Sequence, residues 1–256
     1  MTPDCKEIRK SILLASQKSG HGHIPTCFSI VEILYAVYST MKHDPSNPKL
    51  EDRDMFILSK GHGSLGLYCV LAKFGYFKPE RVHAFGGFQS DFGCHVDRLK
   101  VPGVEASTGS LGHGIGIATG IALAFKIKNS KRRVFAIIGD GESNEGSVWE
   151  AMLVAVDRKL DNLTVIYDNN QSQLRSLQIK NPAAHFEGFG CAVTQVNGHD
   201  VNALKNELLK KADTVKIIIA DTVKGYGCKT FIENQYSWHR RPPNEAEYEQ
   251  LIKELG

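Results

Sequence analysis

Gly139-Asp140-Gly141 directly follows a hydrophobic run at 134–138. Such a run reads as a buried parallel strand, which puts Asp140 at a strand's carboxyl end, where open α/β sheets bind ligands. The next such run, 163–167, ends in Asp168-Asn169-Asn170. Asp140 and Asn170 then fall on adjacent strand tips. A carboxylate, an amide oxygen and a nearby backbone carbonyl, that of Ser172, make a set of hard oxygen ligands. They suit Mg²⁺ or Ca²⁺ and leave coordination positions for phosphate oxygens and water. Gly-Asp-Gly alone reads as a turn and Asn-Asn alone as a strand-end loop; at matched strand ends the two point to a metal–phosphate site.

Other chemistries lack support. The glycines of Gly112-x-Gly114-x-Gly116-x-x-x-Gly120 miss the dinucleotide spacing, since position 119 is Thr, and no strand precedes them. There is no G-x-x-x-x-G-K-[ST], H-E-x-x-H or G-x-S-x-G, which speaks against nucleotide hydrolysis, zinc proteolysis and α/β-hydrolase chemistry. The 31 Lys and Arg against 28 Asp and Glu leave +3, too little for a nucleic-acid footprint. The six cysteines form no C-x-x-C, which argues against zinc and disulfides and for a reducing, cytoplasmic location. No apolar run approaches the length of a membrane span, and the first residues, charged with both signs, do not resemble a signal peptide.

The elements that must position these residues follow from periodicity. Helices are expected from residue 8 to about 18, from 29 onward, and over 62–73, 111–128, 148–158, 182–189, 201–211 and 245–255. Ser29-Ile30-Val31-Glu32 has the form of a capping box opening the second helix. Strands are expected at 54–58, 134–138, 163–167, 192–196 and 215–220. Strands alternating with helices of this length imply right-handed βαβ units, hence an α/β fold: a parallel sheet with helices on both faces. The glycine-rich stretch 86–109 is long for a connection, and such loops are usually functional. With no linker or internal repeat, residues 1–256 are expected to form a single domain.

Gly139-Asp140-Gly141-Glu142 followed about thirty residues later by Asn169-Asn170 resembles the motif of thiamine-diphosphate enzymes. Further blocks resemble the transketolase family, in order along nearly the whole chain: Ser59-Lys60-Gly61-His62-Gly63, the stretch 101–112, and Gly139-Asp140-Gly141-Glu142-Ser143-Asn144-Glu145-Gly146. After them come Lys159-Leu160-Asp161-Asn162-Leu163, Val196-Asn197-Gly198-His199-Asp200 and Trp238-His239. The resemblance implies the thiamine-diphosphate-binding fold, with Asp140, Asn170 and the Ser172 carbonyl on Mg²⁺ (or Ca²⁺). Gly141 would offer its amide to the diphosphate, and His62 and His239 would donate to it. His23 and His95 would face the donor sugar and the reacting carbon. Gly109 and Leu111 would lie against the aminopyrimidine, and Glu145 matches an acidic residue of the family's active-site interface. His21, His43, His83, His113, His185 and His199 are read as ordinary solvated or locally bonded side chains; His21 competes with His23 for one motif position, and the spacing to Ser29 favours His23.

This sequence departs from the family pattern at Ile24 and Val96, where Pro is usual, in the run 171–176, and at Arg240-Arg241, where a Gly is common. Two guanidiniums there could meet an anionic substituent on the sugar, although a solvated basic turn is the simpler reading. The family's catalytic glutamate belongs to a second, pyrimidine-binding domain, and no residue here takes that role. The expectation is therefore the N-terminal subunit of a split transketolase, moving a two-carbon ketol unit from a ketose to an aldose. It would be active only with a C-terminal subunit carrying the pyrimidine-binding domain, as a dimer of heterodimers. The rival readings are half of a deoxyxylulose-phosphate synthase or 2-oxo-acid dehydrogenase, against which 101–112 and Trp238-His239 speak, and a non-catalytic cofactor-binding regulatory subunit.

Overall fold

The computed structural model describes residues 1–175 and 177–256; Ser176, at the end of the divergent run after Asn170, lies outside them. Five short hydrophobic runs form strands β1 (Met55–Leu58), β2 (Val134–Gly139), β3 (Leu163–Asn169), β4 (Ala192–Asn197) and β5 (Lys216–Asp221). All pair in parallel, in the order β1-β2-β3-β5-β4. Gly139 registers with Asp168 and Asn169 with Asp221, so the tips of β2, β3 and β5 end nearly level.

Alternate residues of the central strands enter opposite cores, which is why β2, β3 and β5 are buried almost throughout rather than alternating, whereas the edge strand β4 is only half buried. Phe56, Leu58, Phe135, Ile137, Ile166 and Ile218 face one core. It is closed by α1 (Pro3–Ser19), α2 (Ile24–Ser29), α3 (Val31–Thr40) and α4 (Ser64–Lys73). Ile57, Ala136, Ile138, Val165, Tyr167 and Ile217 face the other, beneath α5 (His113–Ile127), α6 (Gly146–Asp157) and α7 (Pro182–Gly188). The chain steps from β1 through β3 to β4 with α5, α6 and α7 on that second face, then returns from β4 to β5 through α8 (Val201–Leu209) on the first. Reversing direction while keeping right-handed crossovers requires this change of face. The first core is completed by α9 (Lys229–Glu233) and α10 (Glu245–Leu255).

The α/β reading with helices on both faces holds, and α10 has the bounds expected. The capping box does not. Ile30 is the N-cap of α3, the Ser29 hydroxyl lies 2.8 Å from both the Thr26 carbonyl and Asp168 Oδ2, and Glu32 turns into the core. Tertiary partners outcompete the local one. Two short helices, α2 and α9, were not foreseen, and the helix expected from residue 62 begins as a 3₁₀ turn at Gly61–Gly63 before α4.

Glu32 meets Arg9 in a fully buried, two-pronged ion pair, 2.6 Å from Nη1 to Oε1 and 2.7 Å from Nη2 to Oε2. Arg9 also donates to the carbonyls of Phe28 at 2.7 Å and Tyr226 at 2.9 Å, so one guanidinium ties α1 to α2, α3 and the loop after β5. Removing one partner strands a buried charge and several acceptors. Arg9→Met is expected to cost about 3–5 kcal/mol, measured by urea unfolding. A loss under ~1 kcal/mol, the range of exposed pairs such as Lys42–Asp52, would contradict this.

Candidate active site

The carboxyl ends of β1, β2, β3 and β5 open onto a cavity of about 480 Å³. Asp140, Gly141, Asn170 and Ser172 line it from the tips of β2 and β3, and His62 from the turn after β1. His23 enters from the start of α2, His95, Gly109 and Leu111 from the long loop before α5, and His239 from the segment after α9. These are the residues singled out in the sequence, brought together from the whole length of the chain. Glu145 stands outside the lining: it is exposed at the N-cap of α6, beside Gly112. His21 is also outside, packed on Gly86.

One buried carboxylate organises three of the strand tips. Asp168, fully buried near the end of β3, accepts from Lys60 Nζ beyond β1, from Thr222 Oγ1 beyond β5, from Asn170 Nδ2 at 2.7 Å and from the Ser29 hydroxyl at 2.8 Å. Because Asn170 Nδ2 is used in this way, its amide orientation is fixed and Oδ1 is left as the acceptor. That oxygen accepts the Ser172 amide at 3.0 Å, while the Ser172 hydroxyl donates to Asp140 Oδ1 at 2.6 Å. The Gly141 amide also turns to Asp140 Oδ1, at 2.8 Å.

Asp140 and Asn170 thus present an anionic and a neutral oxygen that converge on Ser172. No soft or nitrogen donor belongs to this group, and an all-oxygen set with neighbouring room for phosphate fits a hard divalent cation. The residues present fit the group that the sequence motif implies.

The β1 and β2 tips are locked by a second buried carboxylate. Glu142 accepts the Ser59 hydroxyl at 2.5 Å and the Gly112 amide at 2.9 Å on Oε1, and the Gly139 amide at 3.1 Å on Oε2. Burial raises its pKa despite those donors. The bond to Gly112 seats the loop that carries Gly109 and Leu111. Close approach demands glycine here: a Cβ on Gly61 would lie 2.6 Å from the Thr108 carbonyl oxygen, and Gly112 holds a φ of +79°. The His95 segment is fixed from α4, where the Tyr68 hydroxyl reaches the carbonyls of Gly93 and His95 at 3.1 Å and Ser64 reaches that of Cys94 at 2.9 Å.

His23 forms the centre of an imidazole cluster, its ring centroid 5.3 Å from that of His62 and 5.2 Å from that of His239. Burial, and then neighbouring positive groups, lower the pKa of His23 to about 4 and of His62 to about 2, and lower that of His239. At neutral pH these rings are uncharged, each with one N–H to donate and one nitrogen to accept.

Several lining residues escaped the sequence reading. Lys60 and Lys224 are buried in the wall, as are Thr26 and Glu142; Arg240, weighed in the sequence as a contact for an anionic substituent, does line the cavity. Lys224 Nζ sits 3.3 Å from His239 Nδ1, and burial, with Lys60 nearby, brings its pKa down to about 8. Lys60 and Asp168 carried one usable signal: charged residues flush against apolar strands. Arg240 and Arg241 part company. Arg241 forms a two-pronged pair with Glu247 at 2.7 and 2.8 Å and lies over the Trp238 ring, so only Arg240 faces the cavity.

The histidine shifts generate a pH dependence. The unfolded chain takes up protons on these histidines near pH 6.5 and the folded chain only below about pH 4. Stability from this source is therefore complete above pH 6.5 and declines as pH falls toward 4. In thermal unfolding without ligands, wild type should lose more stability between pH 7 and 5 than His62→Gln; parallel profiles would contradict the neutral assignment of His62.

A model of the transketolase thiamine diphosphate binding domain matches residues 4–256. The chain is 37% identical over 255 residues to a protein of Actinobacillus succinogenes named as one of the subunits of apulose-4-phosphate transketolase, covering 96% of this chain and 92% of that one. It is 36% identical over 257 residues to 6-deoxy-6-sulfo-D-fructose transketolase subunit SqwG of a Clostridium species, covering 97% and 93%. Against human transketolase it is 36% identical over 255 residues and spans 41% of that longer chain. The crystal structure of transketolase from Campylobacter jejuni superposes with a TM-score of 0.90 at 28% identity, covering all of this chain and 43% of that one. With the strand-tip site and these likenesses together, the chain belongs to the transketolase family of transferases, within which it corresponds to the thiamine diphosphate binding domain.

Proposed function

We propose that this chain is the diphosphate-binding subunit of a split, thiamine-diphosphate-dependent transketolase, acting as one domain over residues 1–256. The observation that carries the reading is the convergence of Asp140, Asn170 and Ser172 beside His62 and His239 in one cavity. Relatives of matching length are named as transketolase subunits. When bound, thiamine diphosphate supplies the stabilised carbanion through which a two-carbon ketol unit passes from a ketose to an aldose.

The chain's own residues bind and orient. Asp140, the Asn170 amide oxygen and the Ser172 carbonyl would hold Mg²⁺, and metal ligation by Asp140 would free the Gly141 amide for a diphosphate oxygen. His62 and His239, uncharged, would add directed donors without fixed charge. Gly109 and Leu111 would bring backbone against the pyrimidine, and His23 and His95 would hydrogen-bond the donor sugar. Arg240, facing the cavity while Arg241 is engaged elsewhere, favours a sugar with an anionic substituent. Two relatives are named for such substrates, a phosphate and a sulfonate.

A partner subunit with a pyrimidine-binding domain completes this reading. Both carboxylates lining the cavity, Asp140 and Glu142, already accept several donors, so a free carboxyl for the pyrimidine would come from the partner. Glu145, exposed beside the Gly112 loop, and Ile117, Leu153 and Val154, exposed on α5 and α6, suit contact with other subunits, in keeping with a dimer of heterodimers. The free cysteines, five of them buried, suit the reducing cytoplasm.

Two experiments test this. Calorimetry with thiamine diphosphate and Mg²⁺, partner present, should show binding abolished in Asp140→Ala and strongly weakened in Asn170→Ala, because an oxygen ligand is lost in each and a charge in the first; wild-type affinity in both would remove the metal site. In a coupled ketol-transfer assay, the purified chain alone should be inactive, and its mixture with the pyrimidine-domain partner should turn over, with a phosphorylated or sulfonated ketose preferred over its neutral counterpart. Robust turnover by the chain alone would sink the split-enzyme reading, and equal use of both donors the anionic one.

A further inference from the structure

His199, in the turn after β4, lies outside the cavity's lining yet bonds the residue that precedes Lys224 in its wall. Its Nε2 accepts the Val223 amide at 2.8 Å, and its Nδ1 lies 3.0 Å from Glu32 Oε2. A ring nitrogen that accepts from a backbone N–H carries no proton, so the proton sits on Nδ1 and is donated to Glu32. The ring stacks on Tyr226, centroids 3.6 Å apart and planes within 11°. Glu32 is held in turn by Arg9. Its burial raises the carboxyl pKa, but the donors from His199 and Arg9 outweigh this and leave it lowered, so the acceptor is an anion.

The segment that His199 grips, 222–226, carries Lys224 into the cavity. Thr222 is tied to Asp168, the Gly225 amide to the Pro25 carbonyl at 2.9 Å, and the Tyr226 carbonyl to Arg9 at 2.9 Å. Between these anchors the Val223 amide has His199 as its acceptor, and Val223 directly precedes the lysine. We propose that His199 is a positioning residue: by accepting the Val223 amide it fixes the backbone from which Lys224 presents its ammonium group to an anion in the cavity. This deepens the reading of that cavity as a diphosphate site and rests on it.

Two substitutions separate the arms of the ring. In His199→Asn the side-chain amide sits where Nδ1 was and keeps the donor to Glu32, but nothing reaches Val223. In His199→Gln the amide oxygen sits where Nε2 was and keeps the acceptor for Val223, while Glu32 retains Arg9. Both lose the stack on Tyr226, so packing alone affects them alike. The measurements are hydrogen exchange at the Val223 amide and the calorimetric Kd of inorganic diphosphate with Mg²⁺, for the full chain. We expect His199→Asn to speed exchange at Val223 and to weaken diphosphate by about fivefold, the effect of one hydrogen bond of ordinary net strength. His199→Gln should recover most of both. Equal losses in the two variants, a larger loss in His199→Gln, or no loss in either would overturn the proposal. Should wild type itself fail to bind diphosphate, the diphosphate reading falls, and the order of Val223 exchange rates still decides for or against the hold on the loop.

Discussion

The site depends on keeping a charged carboxylate, Asp168, inside the sheet. A buried anion is costly unless paired and hydrogen-bonded, and Asp168 meets that demand by drawing in Lys60, Asn170, Thr222 and Ser29. These partners come from β1, β3, β5 and the α2–α3 junction. Each partner lost leaves the buried charge less well matched, so satisfying one group helps fix the relative heights of three strand tips. The orientation of the Asn170 amide, on which the proposed ligation by its oxygen would depend, is a by-product of that satisfaction. Glu142 plays the matching role between β1, β2 and the Gly112 loop.

Much of this was legible in the sequence where the signal is local. The apolar runs of β2 and β3 announce strands buried on both faces, and polar residues immediately after them had to be strand tips, so Asp140 and Asn170 could be placed from periodicity alone. The histidines were reached only through the order of blocks along the chain, since a lone histidine in a glycine-flanked loop carries no such signal. What stayed hidden is non-local. Lys60 and Asp168 are 108 residues apart and Thr222 a further 54 beyond Asp168, and no spacing rule links them. Ser29 and Glu32 show the converse: a sound local pattern, set aside because a buried aspartate and a buried arginine offered stronger partners. His199, read as an ordinary side chain, is bonded on both ring nitrogens for the same reason.

The charges around the cavity explain why neutral imidazoles and not further lysines surround its centre. Lys60 is cancelled by Asp168, which leaves Lys224 and Arg240 as cations facing the space, with Asp140 and Glu142 as carboxylates in its lining, the pKa of the latter raised by burial. More fixed positive charge so close together would have to be taken out of water without an anion present, and the lowered pKa of Lys224 shows that cost already being felt. Uncharged His23, His62 and His239 avoid it, since a ring N–H can donate to an anion while adding no fixed positive charge to the cavity. On the proposed reading, a metal-bound diphosphate would meet groups whose orientation is already set by Asp168, Glu142 and the buried pair behind the Lys224 loop. Such preorganisation keeps the cost of turning dipoles out of the binding step and places it in folding.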